Sequence, residues 1–121
     1  MAGSDLFEAW VIAWPPGGSI ELHDHGGSAG AVVVVAGELI ETTVVSEPWG
    51  DVALESKGVG VGGSISFGGH NIHDVVNSGD APAISVHVYA PRLNSMTYYR
   101  VADRRLEAGA TVRYCFGQAV A

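Results

Sequence analysis

Five histidines occur in the 121 residues, at positions 23, 25, 70, 73 and 87, and two of them flank a single acid in Leu22-His23-Asp24-His25. On an extended strand successive side chains alternate between faces, so His23 and His25 project from one face and Asp24 from the other. Two imidazoles side by side in an interior need either proton partners or a cation, because desolvated bases repel once both are charged. His73-Asp74-Val75-Val76-Asn77 adds a third histidine on a later β-like run, where a closing barrel can carry it across from the first pair. Neutral imidazoles suit iron, zinc, copper or nickel, and a three-histidine face leaves coordination positions open for substrate and for oxygen or water. His23, His25 and His73 are therefore the expected metal ligands. His70 competes for the third place by residue type, but Gly68-Gly69 before it marks a loop, which assigns it to the surface or behind the ligands.

A second polar constellation lies in Ile84-Ser85-Val86-His87-Val88-Tyr89, where every even position is aliphatic and every odd one can hydrogen-bond. Read as a strand, the segment packs one face and presents Ser85, His87 and Tyr89 together on the other. Ile65 and Phe67 alternate with Ser64 and Ser66 in the same way.

The elements that must position these residues are short strands. Seventeen glycines, about twice the usual share, separate runs rich in Val, Ile and aromatics, the spacing of an all-β sandwich or barrel. The pattern predicts strands at 7–14, 19–25, 30–36, 38–45, 51–55, 64–67, 72–76, 83–90, 96–102 and 111–116. Ala36-Gly37-Glu38-Leu39 and Asn77-Ser78-Gly79-Asp80 are the expected turns, and Ala102 to Ala108 is the one segment with helical character. The Val32–Val35 run, apolar on both faces, predicts a strand buried on both sides or covered by a second subunit, which leaves room for a homodimer.

Composition narrows the function classes. The apolar share of 47% rules out a disordered chain, and the length suits a single domain over 1–121. The longest apolar run, Ala31 to Ala36, is far short of the roughly 20 residues of a membrane-spanning helix. Met1 to Trp10 has two acids and no base, unlike a secretory or transit segment, so a cytoplasmic protein is expected. A net charge of −7 argues against nucleic acid as partner. Residues 1–90 hold eleven acids and only Lys57 as base, whereas 91–121 hold Arg92, Arg100, Arg104, Arg105 and Arg113 against Asp103 and Glu107. That basic C-terminal segment is expected to pair internally or to offer a guanidinium to an anion. The lone Cys115 has no disulfide partner, and its neighbours Tyr114 and Phe116 predict a buried, inert thiol. Trp10, Trp14, Trp49, Phe67, Tyr98, Tyr99, Tyr114 and Phe116 are read as packing or rim aromatics. No Gly-x-Ser-x-Gly, phosphate loop or dinucleotide fingerprint occurs.

The order of these motifs carries a family resemblance. Gly17, His23-Asp24-His25 and Gly37, followed by His73 and Asn77, are similar to the two motifs of cupin barrels. The usual cupin glutamate, due near Ala29 or Gly30, is absent. His23-Asp24-His25-Gly26-Gly27-Ser28, Gly37-Glu38-Leu39-Ile40-Glu41-Thr42, His73-Asp74-Val75-Val76-Asn77 and Ser85-Val86-His87-Val88-Tyr89-Ala90-Pro91 together resemble the cysteine dioxygenase family of thiol dioxygenases, over about 7–100. The resemblance implies a single small cupin domain, a double-stranded β-helix or jelly-roll barrel with little helix. It implies mononuclear non-haem Fe(II) held by His23, His25 and His73, and a small thiol and O2 as reactants, with a sulfinic acid as product. It also implies that Ser85 orients His87, that His87 holds the Tyr89 hydroxyl, and that Tyr89 points this hydroxyl at the reacting groups.

Two departures stand out. Some members cross-link the tyrosine to a cysteine, but the matching position is Gly30, so Tyr89 is expected unmodified. The residue that recognises a substrate carboxylate in the family has no aligned counterpart in this sequence, which makes Arg92 and Arg100, just past the relay strand, the candidates for that contact. The alternatives are a cupin metalloenzyme acting on a non-thiol substrate and a ligand-binding or sensory cupin without catalysis.

Overall fold

The computed structural model describes residues 2–3, 6–115 and 117–120. Its strands are β1 (Ala2–Gly3), β2 (Glu8–Trp14), β3 (Ser19–His23), β4 (Ala29–Ala36), β5 (Leu39–Ser46), β6 (Val52–Val59), β7 (Ser64–Phe67), β8 (His73–Val76), β9 (Ala83–Ala90), β10 (Ser95–Ala102), β11 (Arg105–Cys115) and β12 (Gln118–Val120). They form a five-stranded sheet ordered β1-β2-β9-β4-β7 and a seven-stranded sheet ordered β12-β11-β10-β3-β8-β5-β6. No helix occurs among the described residues, and no helix is long and apolar enough to cross a membrane.

The period-two pattern does the sorting. In β9 the burial alternates strictly, with Ala83, Ser85, His87 and Tyr89 inside and Ile84, Val88 and Ala90 outside. In β4 Val32 and Val34 are buried while Val33 and Val35 are 40% and 49% exposed, so this strand is covered on one face only. The core between the sheets comprises Trp14, Val32, Val34, Leu39, Val59, Ile65, Phe67, Val75, Ala83, Tyr89, Leu93 and Met96. Gly37 supplies the expected turn between β4 and β5, with φ of 72° and no room for a side chain, since a Cβ would lie 2.8 Å from the Pro82 carbonyl oxygen. Asn77 closes the other expected turn from within: its amide donates to the Trp14 and Ala81 carbonyls and its oxygen accepts from Gly79 N–H.

Three expectations are corrected. Residues 102–108 are not helical. Asp103 and Arg104 both adopt positive φ, 50° and 61°, and Ala102 sits opposite Arg105, a two-residue hairpin turn whose twist matches its strands. The ladder that follows pairs Arg100 with Glu107, joined by an ion pair of 2.7 Å, so this part of the basic segment is neutralised within itself. Cys115 is exposed rather than buried, because alternation in β11 turns Tyr114 inward against Trp10 and leaves the thiol outside. Trp49 is 71% exposed, its indole N–H donating to Asp51. Phe116 lies outside the described residues.

Candidate metal centre and hydrogen-bonded relay

Tertiary pairing brings the three histidines together. His73 at the start of β8 is the register partner of His23 at the end of β3. His25 lies just past the strand, yet its ring turns into the same space. The rings of His23, His25 and His73 stand 4.8 to 4.9 Å apart centroid to centroid, edge to face. Their ligand nitrogens all fall within 4.8 Å of one another, and all three side chains are buried. His70 is exposed, as its glycine neighbours predict, and takes no part in the cluster.

Hydrogen bonds determine which nitrogens face inward. A carbonyl can only accept, so His23 Nδ1–H donates to the Glu21 carbonyl at 2.7 Å and Nε2 remains for a ligand role. His73 Nδ1–H donates to the Glu41 carboxylate at 2.6 Å, leaving Nε2 likewise. Glu41 is itself buried, its other oxygen 3.8 Å from Lys57 Nζ at the surface. A carboxylate behind a histidine fixes the ring and strengthens it as a metal donor. His25 stacks on Phe67, its ring 4.0 Å from that of Phe67 and nearly parallel to it.

The intervening Asp24 points away from the histidines, as strand alternation predicts, and anchors the loop. It accepts from Thr97 N–H at 2.9 Å, from Gly26 N–H at 3.2 Å and from the Tyr99 hydroxyl at 2.9 Å. Burial pushes the His23 ring down to about 4, against the bond it donates to the Glu21 carbonyl, and pushes His25 to about 2 with help from the other histidines. Buried imidazoles whose nitrogens converge are the donor set a transition metal needs, and the residues fit one.

Facing them from β9 are Ser85, His87 and Tyr89, and their bonds form one chain. Trp14 Nε1–H, which can only donate, reaches Ser85 Oγ at 2.8 Å. Ser85 Oγ lies 2.7 Å from His87 Nε2, the direction of that bond being set by the His87 tautomer. Burial holds His87 down to about 4, so the ring is neutral at pH 7, with Nδ1 3.4 Å from the Tyr89 oxygen. In the tautomer with the proton on Nδ1, His87 donates to Tyr89 Oη and the hydroxyl hydrogen is free to point into the site. Burial, with the Glu8 carboxylate as the lesser cause, raises Tyr89 well above the usual phenol range, so it remains a donor at any physiological pH. The Tyr89 and His25 rings lie 5.7 Å apart. A cavity of about 60 Å³ borders His23, His73, His87 and Tyr89 at once.

The remaining assignments distribute differently. Gly30 is the register partner of Tyr89, but the neighbouring space is filled: a Cβ there would come within 2.5 Å of the Phe67 ring. Arg100 is 78% exposed and bound to Glu107 on the rim of an open outer groove that contains no histidine. Arg92 is half-buried beyond β9, its carbonyl accepting from the Ser28 hydroxyl, and it does not border the cavity. Glu41, Asp24 and the relay role of Trp14 escape motif reading. Glu41 carried a signal nonetheless, an acid two residues after Leu39 on the face that alternation assigns to the core.

The comparisons agree with this geometry. The family model for cysteine dioxygenase type I matches residues 1–102. Cysteine dioxygenase type 1 of Danio rerio is 29% identical over 125 residues, covering 94% of this chain, which spans 58% of that relative's length. Among solved structures, a recombinant oxalate oxidase in complex with glycolate superposes with a TM-score of 0.66 at 20% identity, over 76% of this chain and 45% of the other. A Klebsiella pneumoniae protein with a double-stranded β-helix domain gives 0.63 at 22% identity, over 75% and 68%. Oxalate decarboxylase of Lactobacillus farciminis gives 0.63 at 23% identity, over 74% and 25%. At such identities these neighbours establish the cupin barrel alone. The match across most of the sequence, on a barrel whose interior gathers the motif histidines and the Ser-His-Tyr relay, makes the chain a member of the cysteine dioxygenase type I family.

Proposed function

We propose that this protein is a thiol dioxygenase that uses a mononuclear non-haem Fe(II) to convert a small thiol and O2 into a sulfinic acid, acting in the cytoplasm where thiols stay reduced. The observation that carries the reading is the convergence, in one buried space, of three metal-competent imidazoles and a tyrosine hydroxyl at the end of a hydrogen-bonded chain. Nε2 of His23 and of His73, with a ring nitrogen of His25, would hold the metal; the iron supplies a centre at which thiol sulfur and O2 meet and electrons pass between them.

The protein's own groups do the rest. Glu41 and the Glu21 carbonyl hold two of the rings in orientation. Tyr89, kept protonated, donates its hydroxyl hydrogen toward the negative charge that gathers on sulfur and oxygen. His87 and Ser85 hold that hydroxyl in place, and Trp14 in turn holds Ser85. The apolar walls keep bulk water from the reacting sulfur.

The test is anaerobic loading with iron followed by exposure of the protein to O2 and a panel of thiols. One iron per chain, thiol-dependent O2 uptake and a product heavier by two oxygen atoms on sulfur are expected. Absence of both stoichiometric iron and iron-dependent O2 uptake would overturn the reading.

A further inference from the structure

The cavity beside the histidines also restricts the thiol, an inference that rests on the dioxygenase reading above. Apart from His23, His73 and the relay residues Trp14, His87 and Tyr89, its wall consists of Trp10, Ile12, Ile20, Val75, Met96 and Tyr114. Its volume is only about 60 Å³, so the enclosure suits a small ligand. None of the six Lys and Arg residues borders it: Lys57 lies outside against Glu41, Arg92 is half-buried beyond β9, and Arg100, Arg104, Arg105 and Arg113 are exposed. The charged groups nearest the interior are acids. Glu41 backs His73, and the fully buried Glu8 lies opposite Tyr89 in register, with Oε1 accepting from Leu93 N–H and Oε2 without a partner. A substrate carboxylate placed here would lose its hydration against a mostly aliphatic and aromatic wall, where the indole N–H of Trp10 is an unpartnered donor but no cation receives the charge, a costly burial.

We infer that the thiol oxidised by this protein is short and carries an uncharged, apolar tail, rather than the ammonium and carboxylate of an amino-acid thiol. The reaction balances as R–SH plus O2 giving R–SO2H. Two S–O bonds form as the O–O bond breaks, sulfur gives four electrons and dioxygen takes four, and the thiol hydrogen ends on the sulfinic acid group. No further reductant is needed.

The experiment compares propane-1-thiol with cysteamine, 3-mercaptopropionate and cysteine on the iron-loaded protein, reading O2 uptake and sulfinate by mass spectrometry. Propane-1-thiol is expected to exceed each charged thiol at least tenfold in kcat/KM. Equal or better turnover of any charged thiol overturns the inference and leaves the dioxygenase reading standing. Sulfinate from none of them overturns that reading instead, and the cavity is then judged by calorimetric titration of the metal-free protein. There propane-1-thiol should bind at least tenfold more tightly than 3-mercaptopropionate, and equal or tighter binding of the acid overturns the inference. Ile12→Ala, which lengthens the cavity, should move the preferred chain from propane-1-thiol toward pentane-1-thiol; an unchanged optimum also overturns it.

A separate observation concerns the outside of the five-stranded sheet. Every outward position of β2, β4 and β9 is Ala, Val or Ile, and Val11, Val33, Val35, Ile84 and Val88 are exposed there. Three strands of seven or eight residues make a face of roughly 15 by 25 Å. That is about half of the ~800 Å² each partner of a stable dimer buries, the size of an apolar interface centre. Ser64 and Ser66 on the adjoining β7 give a polar rim. Between two copies that each carry a net −7, this uncharged, flat face is where approach is least opposed. We propose that two copies pack there, sheet on sheet, about a two-fold axis. Sedimentation at tens of micromolar should give twice the 12.5 kDa chain mass, and the double variant Val11→Glu/Val33→Glu should give a folded monomer. A monomeric wild type, or a dimer that survives the double variant, overturns the proposal.

Discussion

The two sheets furnish the site in opposite ways. The seven-stranded sheet brings His23 and His73, and behind it stand anions: Glu41 on His73, and Asp24, which accepts from Thr97 and Tyr99 of β10 and from Gly26 within the histidine loop. The five-stranded sheet brings Trp14, Ser85, His87 and Tyr89, a chain of neutral groups held by strand register and by each other. The contrast follows from the task. A cation needs donors made more basic, which charge supplies, whereas a proton held at one oxygen needs groups that neither charge nor wander. Removing a group from the first sheet should therefore act on metal affinity, and from the second on turnover.

The largest effect expected is that of His73→Ala, which should lower iron affinity by more than about 100-fold, read by metal analysis after anaerobic reconstitution. Full iron in that variant would show that the third ligand is misplaced, with His70 the next suspect. Tyr89→Phe should leave iron content unchanged and reduce kcat by about 100-fold. A loss of iron there would erase the division between the sheets. Glu41→Gln should weaken metal binding by ~10–100-fold while kcat at saturating iron stays within a few-fold; a fall in kcat alone would put Glu41 on the turnover side.

Acid should expose what burial has done to both sheets. His23 and His87 are held down to about 4 and His25 to about 2, against an ordinary 6.5. Above pH 6.5 folded and unfolded chains are both neutral at these sites and stability is full. Between 6.5 and 4 only the unfolded chain takes up these protons, so the metal-free protein should lose several kcal/mol across that window, out of a typical total of ~5–15. Chemical denaturation as a function of pH checks this, and a flat profile would contradict it. Trp14→Phe should have the smallest effect, about 1 kcal/mol of stability and a several-fold slower turnover with iron retained, since it removes only the bond that holds Ser85. Thermal melts and steady-state rates on one preparation would test both halves of that expectation.

Much of the barrel is legible along the chain because a half-buried strand advertises itself in every second residue. The alternation places Ser85, His87 and Tyr89 on one face, but it is that polar face the structure buries, leaving the aliphatic Ile84 and Val88 outside; the bend after His23 changes nothing about which way His25 turns. The failures have one character. The 102–108 segment contains residues that accept a helix, but seven residues do not sustain one, and pairing across the β10–β11 ladder wins. Cys115 looks buried because its neighbours are aromatic, yet neighbours along a strand lie on opposite faces, and the contact of Tyr114 with Trp10 decides which face is inside. Arg92 and Arg100 lie close to the relay strand along the chain. In space the hairpin that carries Arg100 gives it Glu107 as partner instead.

What the sequence determined by itself is the chemistry available: three histidines in metal-ligand spacing, a Ser-His-Tyr face, a glycine-rich all-β chain and a family's motifs in their order. Only the tertiary structure decided how that chemistry is supported, because hydrogen bonds between distant residues leave no periodic trace along the chain. Glu41 and His73 are 32 positions apart, Trp14 and Ser85 71, and Asp24 and Thr97 73, yet each pair is joined within 3 Å. The same holds for the cavity, whose apolar wall is assembled from several separate strands and whose lack of a cation is a property of the enclosure rather than of any segment.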